Sequence, residues 1–348
     1  MKVLITMIIS ILILLLGCAS PAIEVVKKGD KYSTQQQWDL AIKEYTSAIG
    51  IDPKYPLAYK GRGLAYHNKD QYDNAIDDYT TAINLEPTCA KSYETRGDTY
   101  ILKKQFDSAI KDYSYAIQLD SMLADKGVIQ KLAKAYKWRG DDFKMGKEYD
   151  KALEYYSKAI EIDKNLSDAY IDRAVLFADK GECAKSINDC NSALKINSKS
   201  AIAFSNRGYA YICQKEYDKA VDDYSEAIEL DPKLAIAYSN RGYTHALQGE
   251  YDKAIEDCNK AIELESGFAP AYNKRGYAYA ARGDIDKDDD NKAILDFSRA
   301  IELDPWLAEA YINRGLAKCN YLHREEAIID FNKAIEIEPK NSQYYLYS

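Results

Sequence analysis

The chain has 348 residues, 29% charged and 47% hydrophobic, with a formal net charge of -8. Acidic and basic residues are interspersed along it, which argues against nucleic acid as the main partner, since that would call for a basic face. Its aromatic residues are mostly tyrosine, 31 against 7 Phe and 3 Trp, and most of these tyrosines recur at fixed intervals, as a repeated core would require.

At the N-terminus, Met1-Lys2 precedes the almost wholly apolar stretch Val3–Leu16. Spanning a bilayer takes about 20 residues, and this stretch is shorter. A positive start before a short apolar segment reads as an export signal. The next residues, Leu15-Leu16-Gly17-Cys18, resemble the lipobox of bacterial lipoproteins. That resemblance implies removal of Met1–Gly17, lipidation of Cys18 and a short tether over 18–21. More than one acyl chain gives stable anchoring, whereas a single chain is marginal. Ala19 follows the cysteine where Asp would be the alternative. By resemblance to enteric lipoproteins this points to the outer membrane, facing the periplasm, in a cell that has one, and otherwise to the outer face of the plasma membrane.

From Ala22 onward one unit recurs nine times. Ala48, Ala82, Ala116, Ala159, Ala193, Ala227, Ala261, Ala300 and Ala334 mark one of its positions, mostly 34 residues apart, with longer steps of 43 before Ala159 and 39 before Ala300. Gly29, Gly63, Gly97, Gly140, Gly208, Gly242, Gly276 and Gly315 run in phase. A fixed period of this size means a stacked array, not a single globular core. In the unit Ala201–Leu234, apolar or small residues fall at positions 4, 8 and 11 and again at 20, 24, 27 and 28. Both stretches have helical spacing, with a polar turn between them and Pro232 after the second, where helices commonly stop. The spacing therefore predicts two antiparallel helices per unit, A and B, whose small residues at 8, 20 and 27 let the axes approach.

These residues resemble the tetratricopeptide repeat (TPR) family. In the second unit the matching positions are Tyr59, Gly63, Tyr66, Ala75, Tyr79, Ala82 and Pro87. The resemblance implies an all-α, right-handed superhelical solenoid of repeats at 22–55, 56–89, 90–123, 133–166, 167–200, 201–234, 235–268, 269–307 and 308–341. A partial helix is expected over 342–348, where Tyr345 falls on the aromatic position; incomplete capping there would leave an apolar edge open to self-association. Repeat five departs most, with Ala174, Ser186, Cys190 and Ser198 at key positions, and reads as a candidate flexible joint. Extra residues near Ala124–Leu132 and an expanded turn over Gly283–Asn291 are expected to break the regularity.

Candidate chemistry is sparse. His67, His245 and His323 lie in repeats two, seven and nine, so no catalytic constellation assembles around them and no enzyme is expected. Asp284, Asp286 and Asp288 have the spacing of a calcium loop. Asp289 and Leu295, however, stand where its Gly and bidentate Glu belong. A solvated acidic loop is expected, with no metal or cofactor. Cys190 and Cys258 occupy the core position 24 and read as small apolar residues. Cys183 and Cys190 share a helix face too far apart to pair. The redox state of the six cysteines other than Cys18 stays open.

Position 7 is basic throughout: Arg62, Arg96, Arg139, Arg173, Arg207, Arg241, Arg275 and Arg314, with Lys28 in repeat one. Position 23 is acidic in eight of nine repeats. A feature present in every unit is expected to serve stacking, and the planar fork of Arg suits a ladder of carboxylate contacts.

By resemblance, the concave face is lined from helix A. Position 9 carries Tyr209, Tyr243 and Tyr277; position 6 carries Asn206, Asn240 and Asn313, with Lys274 breaking the row; position 5 carries Ser205, Ser239 and Asn273. Tyrosine with Asn and Ser is the vocabulary of adaptable protein recognition, and Asn can pair with a peptide backbone through both donor and acceptor. Simple repetition of polar surface residues explains the rows equally well. No repeat carries the Lys at 5 and Asn at 9 of a carboxylate clamp, so a C-terminal carboxylate ligand is not expected. The resulting expectation is a lipid-anchored scaffold that binds a protein or extended peptide at the bacterial cell envelope. Two alternatives are an assembly factor for pilus or secretion-channel subunits and a cell-wall or glycan binder.

Overall fold

The computed structural model describes residues 21–119, 126–283, 287–319 and 324–339. Cys18 and the export signal, His323, Asp284, Asp286 and the expected tail helix over 342–348 lie outside the described residues. Eighteen helices and no strand occur among the described residues. They form two compact units that divide between Leu166 and Ser167, the start of repeat five.

The N-terminal unit holds α1 (Pro21–Thr34), α2 (Trp38–Ile51), α3 (Pro56–Asn68), α4 (Tyr72–Leu85), α5 (Ala90–Leu102), α6 (Phe106–Leu119), α7 (Lys126–Met145) and α8 (Tyr149–Ile162). The C-terminal unit holds α9 (Ser167–Asp179), α10 (Cys183–Ile196), α11 (Ala201–Cys213), α12 (Tyr217–Leu230), α13 (Ala235–Leu247), α14 (Tyr251–Leu264), α15 (Ala269–Arg282), α16 (Lys287–Leu303), α17 (Ala308–Cys319) and α18 (Arg324–Ile337). Within each unit, the two helices of a repeat pack together and the second packs on the first helix of the next repeat.

The core follows from the small positions. Ala75, Ala109, Ala220 and Ala254 at position 20 and Ala82, Ala116, Ala227 and Ala261 at position 27 are buried. The Gly at position 8 lies against the aromatic ring at 24: a Cβ on Gly97 would stand 2.8 Å from the Tyr113 ring. In repeat five both partners change, Ala174 taking the glycine position and Cys190 the aromatic one, and both are fully buried.

Between helices A and B the chain passes through a left-handed residue. Gln36, Asp70, Lys104, Lys147 and Lys215 have φ of 56 to 59°, and Gly181 and Gly249 have φ of 74 and 80°. Side chains with a Cβ are strained in this region. Lys215→Gly should therefore stabilise the protein slightly, by about 0.5 kcal/mol after the added flexibility of the unfolded chain is subtracted. A melting temperature below that of the parent would contradict this.

Seven of the Arg side chains at position 7 join the Asp at 23 of the same repeat. Arg62–Asp78, Arg96–Asp112, Arg173–Asp189, Arg207–Asp223, Arg241–Asp257, Arg275–Asp296 and Arg314–Asp330 each make two parallel bonds of 2.6 to 2.9 Å through Nε and Nη2. In Arg62, Arg96, Arg207, Arg241, Arg275 and Arg314 the remaining Nη1 reaches back to position 25 of the preceding repeat, as in Arg96 to Thr80 Oγ1 (2.9 Å) and Arg241 to Ser225 Oγ (3.1 Å). Tyr93 and Tyr100 flank the Arg96 guanidinium at 5.7 and 5.8 Å. Repeat four has Tyr155 at position 23, and Arg139 turns to Asp107 and Asp142 instead.

The break expected near Ala124–Leu132 takes the form of a longer helix, and the expanded turn and solvated acidic loop expected over Gly283–Asn291 need correction. From Lys126 onward, the extra residues near Ala124–Leu132 lengthen a helix, and Val128 and Leu132 are buried. The acidic segment is helical from Lys287, with Asp288, Asp289 and Asp290 in the first turn of α16. Negative charge is favoured at a helix N-terminus. Asp289 is fully buried and accepts from Arg282 Nε (2.6 Å) and Lys292 Nζ (3.0 Å), so it does not belong to a solvated loop.

Repeat five, the candidate flexible joint, is tied covalently to repeat six. Cys183 at the start of α10 and Cys213 at the end of α11 form a disulfide, with Cα atoms 6.2 Å apart. At other junctions Asp at position 18 meets a side chain at position 14 of the next repeat: Asp39 with Lys69, Asp73 with Lys103, Asp218 with Gln248 and Asp252 with Arg282. Repeat five has Ala184 at 18. The disulfide, one residue earlier on each helix, supplies the link that this alanine cannot make.

Candidate functional site

Helices A of the C-terminal unit carry the residues singled out by spacing. Tyr209 on α11 is 45% exposed, and Tyr243 on α13 and Tyr277 on α15 are half-buried. The Tyr243 and Tyr277 rings meet edge to face at 5.4 Å. Asn206 and Asn313 are half-buried and Asn240 is buried. Lys274, which interrupts the Asn row, donates from Nζ to Asn240 Oδ1 and stands 5.7 Å from the centre of the Tyr243 ring. Ser205, Ser239 and Asn273 at position 5 are buried between helices and do not present their side chains to solvent. Asn273 accepts from Asn313 Nδ2 at 3.0 Å, so these two link α15 to α17.

A coupling between positions 9 and 24 separates the two units. In repeats one, three and four of the N-terminal unit, Asp at 9 accepts from the Tyr hydroxyl at 24: Tyr45 to Asp30 (2.8 Å), Tyr113 to Asp98 (2.8 Å) and Tyr156 to Asp141 (2.9 Å); repeat two has Leu64 there. In the C-terminal unit, Tyr replaces Asp at position 9 of repeats six to eight. The hydroxyl at 24 disappears in repeats five and seven to nine, where Cys190, Cys258, Phe297 and Phe331 stand. Tyr224 alone keeps it there, fully buried and with no hydrogen-bond partner. Position 9 is thus released from a structural duty wherever it carries tyrosine. Both rows were visible in the sequence, but their coupling was not read from it.

Electrostatics mark the same face. Burial lowers the Lys274 ammonium below its ordinary range, opposed first by Glu309. Crowding by neighbouring protein raises the Glu309 carboxyl, opposed by Lys274, although the residue as a whole is exposed. Tyr243 is pushed up to about 12 by burial and then by Glu309.

The N-terminal unit has a different recess, which spacing did not indicate. A cavity of about 390 Å³ is lined by Val26, Tyr45, Leu57, Leu64 and Tyr79 around Gly61, with Lys60 among the lining residues. Gly61 stands at position 6, where a Cβ would lie 2.5 Å from the Tyr45 ring. Leu57 and Leu64 at positions 2 and 9 were the available signal. Among the described residues, no group of three or more His, Cys, Asp or Glu is disposed to hold a metal ion.

No curated protein matches the chain. Among solved structures, it is similar to a tetratricopeptide repeat protein from Parabacteroides merdae, with 20% identity over 74% of this chain and 96% of that one, and a TM-score of 0.57. It is also similar to yeast Tom70 (17% identity, 94% of each chain, TM-score 0.43) and to Pseudomonas aeruginosa pilF (19%, 62% of this chain and 96% of that one, TM-score 0.48). The likeness to the first shows the fold alone. Models described as tetratricopeptide repeat match residues 56–89, 90–121, 133–166, 201–234 and 235–268, and one described as TPR repeat matches 29–70. Together with paired helices that repeat the same Gly-on-aromatic contact, these matches place the chain in the tetratricopeptide repeat family, as an all-α scaffold for protein–protein interaction.

Proposed function

We propose that this protein is a non-catalytic, lipid-anchored scaffold of the bacterial cell envelope that holds an extended peptide or protein segment on helices A of repeats six to eight. The observation that carries the groove assignment is the release of position 9. Tyr209, Tyr243 and Tyr277 stand where three repeats of the other unit use Asp to hold a core hydroxyl, and they present amphipathic rings beside Asn206 and Asn240. Rigid aromatic anchors with polar neighbours suit peptide recognition. The anchor reading rests on Leu15-Leu16-Gly17-Cys18.

Capture from envelope extracts tests both parts. Parent, Tyr243→Ala/Asn240→Ala and Cys18→Ala are compared after circular dichroism confirms that each folds. Removing an anchor costs about 2 kcal/mol, roughly a thirtyfold loss of affinity, so the double variant should lose the partner that the parent retains. Cys18→Ala should leave the membrane fraction. A folded double variant with undiminished capture refutes the groove assignment. A membrane-bound Cys18→Ala refutes the lipid anchor.

A further inference from the structure

The groove contains a cation with only neutral hydrogen-bond and ring partners. Lys274 Nζ donates to the side-chain Oδ1 of Asn240 and faces the Tyr243 ring, and no carboxylate among the described residues forms an ion pair with it. The contrast within the chain is sharp. Arg275, the next residue on α15, and Arg241, the residue after Asn240 on α13, each grip an Asp with two bonds. Glu309 on α17 is the first charge to act on Lys274, but it lies beyond ion-pair contact. Lys274 is half-buried, and an ammonium drawn partly out of water gains from a charged partner.

We propose that the segment held in this groove is acidic: a side-chain carboxylate of the ligand sits on Lys274, and the residue that follows towards Glu309 is not acidic. The carboxylate would supply the charge-assisted bond that Lys274 lacks. Its backbone would meet Asn240, and Tyr209 and Tyr277 would flank it. Glu309 repels a second carboxylate, which fixes the direction in which the segment lies. This inference rests on the groove reading above and adds a charge preference to it.

The test uses the purified full chain and a library of N-acetylated, C-amidated nonapeptides with randomised flanks. The central residue is fixed as Glu, Gln or Lys, and a further set carries two adjacent Glu. Blocked ends ensure that no terminal charge competes. The parent should retain Glu-centred over Gln-centred peptides by about tenfold, the size expected of a hydrogen bond to a charged group. Lys274→Met should abolish that preference while still retaining Gln-centred peptides. Lys274→Gln repeats the measurement should the methionine disturb folding. Glu309→Gln should raise retention of the paired-Glu set. Equal retention of Glu and Gln peptides by the parent, with loss of both in Tyr243→Ala, overturns the acidic preference and leaves the groove reading standing. A parent that retains nothing beyond Tyr243→Ala overturns both.

Discussion

Asp112→Ala should destabilise the protein by about 2–4 kcal/mol, because it strands a guanidinium in a largely dry site. Asp112 is buried, and Arg96 is only 15% exposed at its side chain and is held by two 2.8 Å bonds. Breaking a buried pair by removing one partner leaves an uncompensated charge. The estimate sits below the upper end for such pairs because Thr80 and the two flanking tyrosines still support the cation. The double substitution Arg96→Met/Asp112→Leu should recover most of the loss, since apolar replacement of the whole pair is often near neutral. Glu154→Ala, which removes an exposed partner of Lys158, should leave the melting temperature unchanged. Calorimetry suits this comparison because a repeat array need not unfold in two states. If Asp112→Ala melts with the parent, the ladder does not hold the stack.

Loss of the Cys183–Cys213 bond should have a comparable effect on the C-terminal unit. The bond closes a sequence separation of 30 residues, for which the chain-entropy account gives about 3–4 kcal/mol. Cys213→Ser or a reductant should therefore lower the melting temperature clearly. Cys258 is buried in the core and unpaired, and burial pushes its thiol up to about 12, so it should stay inert to alkylation in the folded state. A melting temperature indifferent to reductant would show that the pair does not staple repeats five and six.

The fold was legible because each repeat writes its helix pair in small residues. Gly97 needs no side chain because Tyr113 occupies the space, and that pairing recurs at a fixed spacing. The Arg–Asp ladder was legible for the same reason. Other features depend on neighbours that spacing along one helix does not show. Cys183 was weighed against Cys190 on its own helix, whereas its partner Cys213 lies on the next repeat, where stacking brings position 17 against position 13. Asp289 looked like a loop residue because five inserted residues hid the helix start, and Arg282 from the preceding helix buries it. Ser205, Ser239 and Asn273 lie on helix A at a position that faces the neighbouring helix. The row of tyrosines at position 9 is visible in the spacing, and the rings of Tyr243 and Tyr277 meet. Their release from hydroxyl binding became visible only once Tyr45, Tyr113 and Tyr156 were seen to bond to Asp30, Asp98 and Asp141.

Site-specific photo-crosslinking tests the central claim most directly. A photoreactive phenylalanine analogue placed at Tyr209 or Tyr243 reports the groove, and one placed at Glu226, exposed on α12, reports a helix B surface. The account predicts that the groove positions crosslink to one envelope protein in intact cells and that Glu226 does not. It also predicts that Asn240→Ala weakens the crosslink from position 209. Crosslinking from position 226 alone, with positions 209 and 243 silent in a folded protein, would contradict the assignment of the partner to the position-9 tyrosines.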